Sequence, residues 1–141
     1  FVTGRRYAYG IGIFKDEREA VKWYKKSAEQ NNAFAQNALA WILSTSSDSE
    51  IRNGKEALMW AQKVIQNNMR DESNALDTLA AACAEMGDFS AAILNQERAI
   101  SLLTNPAKRN EFTLHLNAYK EKRPWRQRYM KENPQSSTNP Q

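Results

Sequence analysis

The chain has 141 residues, 41% of them hydrophobic and 26% charged, with a formal net charge of +4, proportions that suit one globular domain. No apolar run approaches the roughly 20 residues of a membrane-spanning helix, a single cysteine (Cys83) excludes an internal disulfide framework, and one cysteine with one histidine (His115) offers no zinc-ligand spacing. Charge is uneven: residues 107–141 carry 8 Lys/Arg against 3 Asp/Glu, while residues 1–106 carry 12 against 13, so the basic character belongs to the C-terminal quarter.

The chain begins at Phe1 rather than at a methionine, so a fragment or a processed form is expected and no leader can be argued for or against. The first pattern is Gly10-Ile11-Gly12. A dinucleotide fingerprint would need a third glycine where Lys15 stands and an apolar strand before it. A P-loop would need Ser or Thr after the lysine, where Asp16 stands. The glycines therefore read as a turn between two helical segments. Asp16 with Glu19 opens a helix in the manner of a capping box, and Ala20, Tyr24 and Ala28 recur on one face. Ala35, Ala38, Leu39 and Ile42 mark the next helix, and residues 44–54 a polar loop. Leu58, Ala61 and Ile65 follow, then a break at Asn67-Asn68. Leu76, Leu79, Ala80 and Cys83 form another stripe, ended by the Gly87-Asp88 turn. Phe89, Ala92, Ile93, Gln96, Ala99, Ile100 and Leu103 make the clearest stripe. Asn105-Pro106 reads as a cap with proline at the first helical position, before Phe112, Leu116 and Tyr119.

No segment alternates as a strand would, so the fold class is all-α: seven helical segments, as three hairpins and a final capping helix. A hairpin cannot bury its apolar face alone, so the pairs must stack. Ala20, Ala40, Ala80 and Ala92 fall where close helix contact needs small residues. The boundaries expected are repeats at about 1–32, 33–70 and 71–105, a cap at 106–121, and a basic, partly disordered tail at 122–141. The last residues have two prolines and no apolar side chain.

Gly4, Tyr7, Gly10, Gly12-Ile13, Asp16, Ala20, Trp23-Tyr24 and Lys26-Ser27-Ala28-Glu29-Gln30 together resemble a Sel-one-like repeat, the glycine-containing cousin of the tetratricopeptide repeat (TPR). Residues 73–106 resemble a TPR through Leu76, Leu79-Ala80, Gly87, Phe89, Ala92, Ala99 and Pro106, although Gln96 stands where a large apolar residue is usual and Cys83 where a tyrosine is. The stretch 33–68 resembles a TPR with a lengthened turn at 44–54. Asn37–Leu43, then Arg52, Gly54-Lys55 and Ala57, then Leu76–Ala82, then Tyr119 with Pro124-Trp125-Arg126, resemble a bacterial TPR subgroup. The likeness covers about residues 3–126. It implies a right-handed α-α superhelix, a bacterial source (cytoplasm or periplasm), and a non-enzymatic scaffold or adaptor that holds a partner's peptide or helix in a concave groove.

Carried over residue by residue, the resemblance places Phe34, Asn37 and Trp41 in that groove from the middle repeat, and Asn74, Asp77, Ala81 and Glu85 from the last. Asn37 and Asp77 share a repeat position and are expected as neighbours. Asp77→Arg is expected to spare the fold and alter binding. With no basic residue among these positions, a carboxylate-clamp groove is not expected. The alternative function is nucleic-acid or anionic-surface binding through Arg123, Trp125, Arg126, Arg128 and Tyr129, where cations would meet phosphates and rings would stack on bases; docking of Trp125 on the last helix competes with it. His115 is expected as a partly buried, hydrogen-bonded residue and Cys83 as a small core residue. No cofactor, metal or catalytic residue is expected, and the partner's identity and the oligomeric state are open.

Overall fold

A computed structural model of the chain describes residues 16–67 and 71–127. Among these residues it is a helical-repeat solenoid: α1 (Glu17–Ala28), α2 (Ala33–Thr45), α3 (Gly54–Gln66), α4 (Glu72–Glu85), α5 (Phe89–Ser101) and α6 (Pro106–Lys120), with no strand. The expected segment before Gly10, and the turn made by Gly10 and Gly12, lie outside the described residues.

Local chemistry sets the helix starts. Each of the six helices opens on an Asp or Asn (Asp16, Asn32, Asn53, Asp71, Asp88, Asn105) whose side chain accepts the N–H three residues on. That satisfies one of the donors a helix N-terminus leaves without an internal partner. Three ends share one device. Asn31, Gly87 and Lys122 sit at positive φ, 67°, 85° and 62°. Around them Asn32, Asp88 and Arg123 donate backbone N–H bonds to Ser27, Cys83 and Ala118. This is the Schellman closure, which turns the chain sharply after a helix.

The helix α2 runs to Thr45, two residues into the expected loop. The Ser44 and Thr45 hydroxyls donate to the carbonyls of Ala40 and Trp41 at 2.5 and 2.6 Å, which satisfies these polar groups inside a helix. Small residues make the close contacts: Ala20, Ala40, Ala80 and Ala92 are all fully buried. Tyr24, Leu39, Ile42, Trp60 and Ala82 join α1, α2, α3 and α4 in one core cluster. Ala80, Cys83, Ala92, Ala118 and Tyr119 extend it to α5 and α6, and Leu76, Ala99 and Phe112 form its outer end. Among the described residues no helix is long and apolar enough to cross a membrane.

Candidate functional site

The inner helices α2, α4 and α6 meet around a polar cluster set in aromatic rings. Asp77 of α4, 6% exposed, accepts from the Gln96 side-chain amide of α5 at 2.9 Å and lies 2.9 Å from Nδ1 of His115 on α6. The same Gln96 amide donates to the Phe112 carbonyl at 3.0 Å. This accounts for a glutamine where the repeat pattern favours an apolar residue: it bridges a buried carboxylate to the capping helix. A buried charge needs such partners. Trp41, Phe112 and Trp125 surround the His115 ring, with centroids 5.5, 5.9 and 4.4 Å away.

Beyond α6 the chain turns back. After Lys122, residues 123–127 cross the C-terminal ends of α2 and α4 as a strap. Trp125 lays its ring on His115, and Arg126 pairs with Glu85 at the end of α4 at 2.8 Å. The Gln127 N–H donates to the Thr45 carbonyl at 2.7 Å, and Ser46 and Gln127 form a parallel bridge.

The end of α2 shows why the strap settles there. Its last carbonyls have no partner within the helix, and its last turn holds no basic residue. The Asn53 N–H takes the Leu43 carbonyl at 2.9 Å. Arg52 takes the Ser46 carbonyl at 2.7 Å and reaches Glu85 at 3.5 Å. The strap takes the other two: Arg126 reaches the Ser44 carbonyl at 3.4 Å, and Gln127 takes Thr45. Two guanidinium groups thus face the negative end of the α2 dipole. Gly54 lets this end close, because a Cβ there would lie 2.9 Å from Glu85 Cγ and 3.0 Å from Met86 Sδ.

The expected groove residues divide into two sets. Phe34, in the first turn of α2, is 44% exposed and touches Tyr24 edge-on, and the partly exposed Asn74 stands at the same repeat position in α4, bonded to Asp71. Asn37, Trp41, Asp77 and Ala81 are buried within the chain, and Glu85 is held by Arg52 and Arg126. The expectation that Asp77→Arg spares the fold is corrected: a buried arginine there would face His115 and Gln96 in place of the carboxylate they bond. Of the tail residues, Trp125 and Arg126 are engaged in the strap, and Arg123 pairs with Glu121 at 2.6 Å. Arg128 and Tyr129 lie outside the described residues.

What sequence reasoning missed is the joint role of Gln96, Arg52 and the strap. The one sign of it was the Pro124-Trp125-Arg126 sequence behind the last helix. His115 is hydrogen-bonded, as read, and buried more completely than the partial burial expected. Cys83 is buried, and burial first, then the nearby Asp88 carboxylate, pushes its thiol above the usual range, the opposite of what a nucleophile needs. Among the described residues no three His, Cys, Asp or Glu groups converge to hold a metal ion.

Residues 2–32 and 33–68 each match the family model of the Sel1 repeat. Chitin synthase regulatory factor 3 of the fission yeast Schizosaccharomyces pombe is 37% identical over 62 residues, which cover 43% of this chain and 7% of the relative. The chain therefore spans a small fraction of that curated protein. No solved structure matches. Sel1 repeats generally mediate protein–protein interaction and are not catalytic.

Proposed function

We propose, from the premise that this chain is a Sel1-repeat protein, that it is a non-enzymatic scaffold which holds a segment of another protein on the side lined by α2, α4 and α6. The observation that carries this reading is the meeting of side chains of those three helices at Trp41, Asp77 and His115, with Phe34 and Asn74 left unburied at a rim made by the N-terminal turns of α2 and α4 and a peptide-like strap at the other end. Phe34 and Asn74 furnish the rim: an exposed aromatic ring and an amide able to bond a partner's backbone. The yeast relative's name, a regulatory factor of an enzyme, agrees with a role in assembly rather than turnover.

The test is capture from lysate with the parent chain and Phe34→Asp side by side, read by mass spectrometry. Phe34 is exposed in the first helical turn, where an acidic residue suits the dipole, so the variant keeps its fold. A protein retained by the parent and lost by Phe34→Asp supports the reading. Equal retention by both, or material released by nuclease, sinks it.

A further inference from the structure

The strap takes the place of a ligand, and the groove that holds it states what else would fit. The Thr45 carbonyl, at the end of α2, requires a backbone N–H. The Glu85 carboxylate and the Ser44 carbonyl require a cationic donor, and Arg126 reaches both through its Nη1 nitrogen, at 2.8 and 3.4 Å. The face of His115 requires an aromatic ring, and Trp125 fills it at 4.4 Å between centroids. These three demands fall on successive residues, Trp125, Arg126 and Gln127. The hold is modest. The strap has no helix, Arg126 is exposed and Trp125 is only half-buried, which puts it among the segments that open before the core does.

We infer that the C-terminal end of the groove is a docking site for an extended segment of a partner protein bearing an aromatic residue, then a basic residue, then a residue other than proline, and that residues 124–127 occupy this site until such a segment displaces them. The proline exclusion follows from the Thr45 carbonyl, because proline has no N–H to donate. The inference rests on the reading of this side as a protein-binding face, and it adds the partner's chemistry and the competitor already in place.

A labelled peptide with the sequence of residues 121–128 tests this without any natural partner, so its failure is distinct from a failed capture. It is titrated by fluorescence anisotropy into the full parent chain and into the full-length double variant Trp125→Ala, Arg126→Ala. The expected result is saturable binding to the double variant at least about ten-fold tighter than to the parent, the scale of one charge-assisted contact. Peptides with Trp→Ala, Arg→Ala or Gln→Pro at the three positions lose that binding, as does Glu85→Gln added to the double variant. Hydrogen exchange on the parent gives the second arm: the Gln127 amide exchanges faster than the amides in the middle of α4. Equal binding to parent and double variant, or none to a folded double variant, overturns the inference. So does a double variant without helical circular dichroism, or a Gln127 amide released only with α4, since either makes the strap part of the core. A parent that dimerises on concentration while the double variant stays monomeric, with no peptide bound, assigns the groove to a second copy and overturns it too.

Discussion

Tyr119 buries its whole side chain at the centre of the second core cluster, and its hydroxyl has no hydrogen-bond partner among the described residues. Burial first, then the charges of Asp77 and Cys83, hold its phenol well above the ordinary value. The folded chain therefore keeps the proton where the unfolded chain, with a phenol near pH 10, has released it. Stability from this residue is intact below about pH 10 and falls as pH rises from there toward the folded value. Tyr119→Phe is expected to raise stability near neutral pH by about 1 kcal/mol, since an unsatisfied buried hydroxyl is removed, and to flatten the alkaline limb. Urea denaturation at pH 7 and pH 10.5 checks both, and a loss at pH 7 would mean the hydroxyl is bonded after all. Gln96 teaches the converse. Gln96→Leu restores the apolar residue that the repeat pattern favours, yet it takes a donor from Asp77 and from the Phe112 carbonyl. It is expected to cost about 1–3 kcal/mol in the same measurement, with no cost if the bridge carries nothing.

At the scale of the element, most starts and stops were written in short patterns. Asp16 with Glu19, Gly87-Asp88 and Asn105-Pro106 were readable because a cap is a matter of three or four neighbouring residues. The end of α2 was not, because Ser44 and Thr45 look like loop residues until their hydroxyls are seen bonded to the preceding turn. Lys122 was not readable either. It holds at φ 62° a position that Gly87 fills after α4, and a side chain there strains the backbone. Lys122→Gly is expected to raise the melting temperature, by relief of up to about 1 kcal/mol less what glycine gives back in unfolded-chain entropy. A lower melting temperature would show that the lysine side chain contributes more than its backbone strain costs.

For the whole molecule, the helical stack was legible and its closure was not. Apolar stripes repeat locally, so α1 to α6 could be drawn from spacing alone. Asn37 and Asp77, at the same repeat position, were expected as neighbours on one wall of the groove. Asp77 also bonds Gln96 of α5 and His115 of α6, and position within a repeat says nothing about either. The strap joins residues 82 positions apart, a distance over which no periodicity carries information. That closure changes how the array should unfold. In an open stack each unit feels only its neighbours, so damage at one end frays that end. Here α6 is tied to the end of α2 through Arg126 and Gln127, across the intervening α3, α4 and α5. Phe112→Ala empties the core position where α6 meets Leu76 and Ala99 and is expected to cost about 3–5 kcal/mol. If the strap is seated by α6, hydrogen exchange should quicken both in α6 and in the last turn of α2 and the 46–53 loop, with α3 less affected. Exchange that quickens in α5 and α6 alone would describe an open stack, with a strap that adds nothing to the coupling of its ends.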